Sequence, residues 1–221
     1  MTGNSYYYRK LHSLLGVIPV GFFLVEHLIT NYEAFNGGHQ GFIDSVRWLN
    51  SLPLVFFLEL FGIWLPILYH GVYGLYVAFQ SNNNVGRYGY YRNLMFTLQR
   101  VTGVVTLIFI AWHFFTTRFQ VTLGNQTHDS LGVLMHEVFT TPAYFTMYLI
   151  GVLAATFHFT NGMWSFLVSW GITVGPRAQR VSSVIWMGVF VIMSIMFILS
   201  MVAFTDASFS DTSVLDAAGK H

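Results

Sequence analysis

Residues 65–79 read LPILYHGVYGLYVAF, and the reading of the whole chain turns on the histidine in their midst. The stretch is apolar on nearly every side and belongs to a run long enough to cross a bilayer, yet it carries His70 deep inside. Three further apolar runs repeat the pattern, with His27 in GFFLVEHLI, His113 in TLIFIAWHFF and His158 in VLAATFHFTNG. The intervals are 43, 43 and 45 residues, the length of one crossing plus one loop. An ionisable residue at membrane depth is costly and marks a functional site. A single one can be an ordinary, hydrogen-bonded core histidine. Four, one on each of four consecutive helices, call for a common purpose.

The 221 residues are 54% hydrophobic and only 9% charged, with positive mean hydropathy. A soluble domain carries about 25% charged residues, so this is an integral membrane protein. A net charge of +1 gives no reason to expect a nucleic-acid partner. The absence of cysteine excludes disulfides, thiolate zinc sites, cysteine-ligated iron–sulfur clusters and covalent c-type haem. Arg9 and Lys10 precede the first apolar run without a small-residue cleavage site, which predicts a retained first helix rather than a removed signal peptide.

The expected fold is all-α, with five transmembrane helices: I over roughly Leu11–Asn31, II over Leu54–Phe79, III over Thr97–Thr117, IV over Pro142–Ser169 and V over Val181–Phe204. Helices I–IV form the histidine-bearing bundle, and helix V, without histidine or charge, lies alongside as a scaffold facing lipid. Residues 1–10 are read as surface-lying. Tyr32–Pro53 and Gln80–Asn93 are read as loops, Arg118–Thr141 as a polar connection with room for a short surface helix, and Trp170–Arg180 as a basic turn. Residues 1–204 make a single domain, and 205–221 an acidic, mobile tail. Pro19 and Pro66 are expected to bend helices I and II.

Seven basic residues (Arg9, Lys10, Arg87, Arg92, Arg100, Arg177, Arg180) fall on one side of this topology and three (Arg47, Arg118, Lys220) on the other. The positive-inside bias puts the N-terminus in the cytoplasm and the C-terminus outside. His27 and His113 each lie 16 residues from the inner end of their helix, roughly 24 Å up at 1.5 Å per residue. His70 and His158 lie 9 and 11 residues from theirs, roughly 13–17 Å up. The depths therefore predict two bis-imidazole sites, an inner one from His70 and His158 and an outer one from His27 and His113.

Imidazole suits several transition metals, but a bare ion would bring carboxylates or thiolates. Only Glu26 and Glu59 lie in the apolar cores. Haem satisfies such sites better: the porphyrin supplies four nitrogens and a large apolar surface, and two axial histidines leave no open position, which favours electron transfer. Gly74 and Gly162, each four residues after a histidine, and Gly16 and Thr102, each eleven before one, would let a flat macrocycle enter. Close helix packing uses the same small residues. Ser13 and Gln99, fourteen residues before His27 and His113, are candidate contacts for haem propionates, with Arg9, Lys10 and Arg100 supplying charge; ordinary interfacial polarity is the alternative. His12, His39, His128, His136 and His221 are read as solvated or structural.

The runs RKLHSLLGVIPVG, YHGVYGLYVAF, LQRVTGVVTLIF, FHFTNGMWSF and WGITVGPRAQR resemble the dihaem cytochrome b membrane subunits of the Bacillus-type succinate:menaquinone oxidoreductases, relatives of the fumarate reductase anchor. The similarity covers nearly the whole chain through helix V. It implies two b haems with ligands at His27, His70, His113 and His158. It also implies an FAD flavoprotein and an iron–sulfur subunit docked at the cytoplasmic face, with menaquinone as electron acceptor. Tyr88, Tyr90 and Tyr91 are candidate docking anchors beside Arg87 and Arg92. On this reading menaquinone binds at the outer end, beside the haem of His27 and His113. Glu59, eleven residues before His70, is a candidate proton donor there; a structural hydrogen bond is the alternative. Glu26 is a weaker candidate, and Asp44 and Arg118 would line the entrance.

Three rival readings remain. A cytochrome b of another quinone-linked oxidoreductase shares the haem chemistry, but the bc-type arrangement puts two histidines on each of two helices. A transporter would show broken helices and midplane acids. A purely structural anchor has no use for four depth-matched histidines.

Overall fold

The computed structural model describes residues 4–81 and 85–212, and all regular structure among them is helical. Five runs are long and apolar enough to span a bilayer: Ser5–Asn36, Val55–Gln80, Tyr91–Thr122, Pro142–Ser169 and Pro176–Ala203. Large apolar side chains such as Phe22, Leu68, Val72, Ile108, Ile150 and Ile192 stand exposed along them. Such a surface is matched to hydrocarbon rather than water.

The first run is α1 (Asn4–Val17) and α2 (Pro19–Asn36), parted only at Ile18. Pro19 has no N–H to give to Leu15, so the ladder skips a rung there. The helix already runs from residue 4, so most of the stretch expected at the surface is part of this run. The second run holds α4 (Val55–Glu59), a π turn (Leu60–Trp64) and α5 (Leu65–Gln80). Pro66 cannot donate to Gly62 and its ring would strike that carbonyl. Widening the turn, with Leu65 N–H reaching back to Leu60, accommodates it. The third run, α6 (Tyr91–Thr116) with α7 (Arg118–Thr122), begins earlier than expected, at Tyr91. α9 (Pro142–Ser169) matches its expected bounds. α10 (Pro176–Ala203) starts at a proline, which serves well at a first helical position.

The segment expected as a loop between the first two runs contains α3 (Gly38–Asn50), entered through Gly38 at φ +65°. His39, Phe42, Ile43 and Val46 are its buried residues, one stripe of an amphipathic helix. α8 (Leu131–Thr140) fills part of the later connection, and a 3-10 turn (Ala207–Ser210) follows α10. The expected tail thus begins with a 3-10 turn in which Phe209 is 1% exposed. The tail from residue 213 onward, with Lys220, lies outside the described residues, as do residues 82–84 of the expected docking loop.

Packing divides the chain into two compact units. Unit 1 comprises residues 1–24, 56–107 and 153–192. In it α1 lies against α5, and Gly71 makes room for Leu107. Trp164 Nε1 donates to the carbonyl of Gln179 at 3.0 Å, pinning the turn between α9 and α10. Unit 2 comprises residues 25–55, 108–152 and 193–221. Here α3, α8 and the 3-10 turn converge, with Phe42 and Phe209 both against Phe204. Arg47 grips Asp129 through two bonds of 3.0 Å. Met193, Phe197 and Met201 bury one stripe of α10 in this unit, so that helix presents only its other face, Val191, Ile192, Ile195 and Val202, to the surroundings.

Candidate functional site

Unit 1 brings His70 of α5 and His158 of α9 together, with ring centroids 6.1 Å apart and planes at 78°. His70 Nδ1 donates to the main-chain carbonyl of His12 at 2.9 Å, and His158 Nδ1 to that of Gln99 at 3.0 Å. A carbonyl can only accept, so each ring carries its proton on Nδ1 and keeps a lone pair on Nε2. Metal-binding histidines are held this way by their surroundings. Both acceptor carbonyls lie four residues before a glycine, Gly16 and Gly103. A Cβ on Gly103 would come 2.7 Å from His158 Cε1, and one on Gly16 would overlap the His70 ring. The missing side chains let each imidazole lie against the helix and reach a carbonyl that the helix has already used once.

The same pair has further supports. Gln99 Nε2 donates to the carbonyl of His158 at 2.9 Å, and the Gln99 side-chain oxygen accepts from Asn161 Nδ2 at 2.7 Å. Asn161, 3% exposed, gives its other bond to the carbonyl of Met95. The ring of His12 stacks on His70 at 4.1 Å, only 6° from parallel.

Unit 2 brings His27 of α2 and His113 of α6 together, with centroids 5.8 Å apart and planes at 72°. His113 Nδ1 meets the hydroxyl of Tyr148 at 3.0 Å. Phe109 stacks beside His113 at 5.9 Å. His27 Nε2 lies 3.3 Å from the Asn31 amide, which also donates to the His27 carbonyl at 2.8 Å.

These pairs can be tested against a metal. An imidazole nitrogen bonds a first-row metal at roughly 2 Å and lies roughly 1 Å from its ring centre, so two rings on one metal have centroids about 6 Å apart. Both pairs meet that spacing. Among the described residues no group of three or more His, Asp or Glu converges. The donor set is thus two imidazoles per site, suited to a metal whose remaining ligands come with it, as in haem. The Nε2 of His27 has the Asn31 amide 3.3 Å away, and that contact must open for it to bind a metal.

The other singled-out residues are placed as follows. Gln99 is engaged with His158 and Asn161. Ser13 Oγ accepts a 3.4 Å bond from Trp170 Nε1, and Lys10 Nζ donates to the carbonyl of Ser169 at 2.7 Å. Arg100 donates to the carbonyl of Ser81 at 3.2 Å and lies over Phe96. Gly16 faces His70, not His27; Gly74 meets His12, and Gly162 meets Gln99. Tyr91 pairs its hydroxyl with Ser183 Oγ at 3.0 Å, and Tyr88 stacks near Tyr90. Glu26 accepts from Thr30 at 2.6 Å, Asp44 from Gln40 at 2.7 Å, and Arg118 reaches Thr122 at 3.4 Å. Glu59, at the edge of the π turn, belongs to the unit of His70 and His158.

Sequence reasoning missed His12, Gly103, Asn161 and Tyr148. The paired spacing His12 to Gly16 and Gln99 to Gly103 was a usable signal for the first two.

Comparison with known proteins gives the site its context. The family model "Succinate dehydrogenase/Fumarate reductase transmembrane subunit" matches residues 81–199. The succinate dehydrogenase cytochrome b558 subunit of Bacillus subtilis (strain 168) is 46% identical over 205 residues, covering 92% of this chain and 100% of that protein.

Proposed function

We propose that this chain, which belongs to the succinate dehydrogenase/fumarate reductase transmembrane subunit family, relays electrons from an iron–sulfur subunit to menaquinone by way of two bis-histidine b haems. At the coarser level it is a cytochrome b membrane subunit of succinate dehydrogenase, part of an oxidoreductase complex embedded in a membrane. The observation that carries the finer reading is the pair of matched imidazole sites, His70 with His158 and His27 with His113.

His70 with His158, and His27 with His113, would each hold a b haem, which when bound would supply one-electron redox chemistry. The chain's own residues supply the rest. His12 and Gln99 offer carbonyls that keep His70 and His158 in the metal-binding tautomer. Gly16 and Gly103 let those rings pack closely. Apolar helix faces keep water out and the local dielectric low. The FAD flavoprotein and the iron–sulfur subunit would dock at the cytoplasmic face, where Arg87, Arg92, Arg177 and Arg180 concentrate. The N-terminus is cytoplasmic on this reading and the C-terminus external. Succinate chemistry belongs to the flavoprotein.

The test is a visible spectrum of the membrane complex with single histidine substitutions. His70→Ala and His158→Ala are expected to remove the same reduced b-haem band, and His27→Ala and His113→Ala the other. Loss of different bands by the two members of a pair would refute the pairing. Four variants retaining both bands would refute ligation altogether.

A further inference from the structure

We infer that Tyr148 is a positioning residue for His113, fixing its tautomer and thereby lowering the reduction potential of the haem that His27 and His113 would hold. The inference rests on the ligation proposed above.

Tyr148 is 4% exposed, and its hydroxyl stands 3.0 Å from His113 Nδ1. Its ring is fixed edge-on against Phe109, Trp112 and Phe139, at 5.3, 5.3 and 4.9 Å. On the ligation proposed above the metal takes Nε2 of His113, so the neutral ring's one proton stands on Nδ1 and the phenol oxygen accepts it. The opposite direction, with the phenol donating to Nδ1, would put the imidazole proton on Nε2 and abolish the lone pair that a metal needs.

Sharing the Nδ1 proton makes the imidazole a better electron donor. A better donor stabilises oxidised iron and lowers the potential. His70 and His158 obtain the same effect from main-chain carbonyls, which no substitution can delete. At His113 the acceptor is a side chain, and the effect is open to mutation.

Tyr148→Phe keeps the packed ring and removes only the acceptor. The measurement is a potentiometric titration of the intact complex, following both haems by visible absorption. One haem is expected to rise in potential, its oxidised-to-reduced ratio at fixed potential falling about tenfold, which is about 59 mV for a one-electron couple. The other haem stays where it was. The haem that moves must be the one lost in His113→Ala. If neither potential moves, or if the moving haem survives His113→Ala, the role of Tyr148 is refuted while ligation stands. If His113→Ala leaves both haems in place, ligation itself has failed. Should Tyr148→Phe lose the haem outright, 3,5-difluorotyrosine placed at position 148, which keeps the packed ring and weakens the oxygen as an acceptor, decides. A smaller rise in the same haem supports the role of Tyr148, and an unmoved potential overturns it.

Discussion

His70 and His158 rest on main-chain carbonyls beside glycines, whereas His113 rests on a phenol inside an aromatic cluster and His27 beside an asparagine of its own helix. Both pairs reach nearly the same ring spacing, 6.1 and 5.8 Å. The means differ in a way that matters for mutation. A carbonyl is supplied by any residue, so the first pair is protected from changes at the acceptor and vulnerable at the glycine that uncovers it. The second pair is vulnerable at the acceptor. Among the described glycines, none packs directly on His27 or His113; Gly151 meets Phe109, which in turn stacks on His113.

The largest effect that can break this contrast is Gly16→Ala or Gly103→Ala. A Cβ at either position must displace an imidazole by van der Waals overlap. Overpacking of this kind typically costs about 1–3 kcal/mol, and it also pulls the ring off its carbonyl. The expected outcome is loss or gross shift of the haem assigned to His70 and His158, with the second haem band intact. The spectrum of reduced membranes checks it. If either substitution leaves both bands unchanged, the glycines do not act as the clearings described.

Much of this contrast was out of reach of the sequence. The five spans were legible because apolar runs of that length have few other uses. The four core histidines stood out because an imidazole in hydrocarbon is anomalous. Main-chain acceptors such as those of His12 and Gln99 leave no trace in residue identity, and only the glycine four residues on marks them. Tyr148 was passed over for the opposite reason: in an apolar helix a tyrosine looks like packing, and its partner is 35 residues away. α3 was missed although His39, Phe42, Ile43 and Val46 fall at helical spacing, because Gly37-Gly38 and a polar composition pointed to a loop. The π turn follows from how Pro66 is accommodated, which no periodicity reveals.

A smaller effect sharpens the contrast within the first pair. Asn161 donates to Gln99 Oε1 at 2.7 Å and to the carbonyl of Met95 at 3.2 Å. Asn161→Leu preserves bulk and strips both acceptors of their donor. Leaving buried acceptors unsatisfied costs about 1–3 kcal/mol. Gln99 then loses its restraint, and His158 with it. Loss of an outer partner of a metal-binding histidine typically weakens metal binding about 10–100-fold. Haem-to-protein ratio during dilution or competition with apomyoglobin measures this. The haem of His27 and His113 is expected to be retained; equal loss of both would show a global rather than local defect.

The smallest expected effect concerns the cap of the second unit, where the acidic stretch after α10 begins. Asp206 accepts from the Ser208 amide at 2.8 Å and so starts the 3-10 turn that buries Phe209. The carbonyl of Ser208 receives His39 Nδ1 at 2.9 Å, which ties the turn to α3. The Asp206 carboxyl is held below the ordinary range, first by the hydrogen bonds from Ser208 and in smaller part by the field of His136. The direction fixes the pH window. Because the folded value is the lower one, the carboxylate's contribution is complete above the unfolded value of about 3.9 and is lost only as pH falls through the folded value. From pH 7 to 5, protection of the Ser208 amide against hydrogen exchange, corrected for intrinsic rate, is expected to stay level, and below about pH 4 to fall. Asp206→Asn keeps an acceptor that does not titrate, so the acid-induced loss should disappear with most of the protection retained. Asp206→Ala should lower protection at every pH. Neither change should move either haem band, since the turn bears on α3 and α8 rather than on the ligand rings. A band shift in Asp206→Asn at neutral pH would show that the cap and the His27–His113 pair are coupled after all.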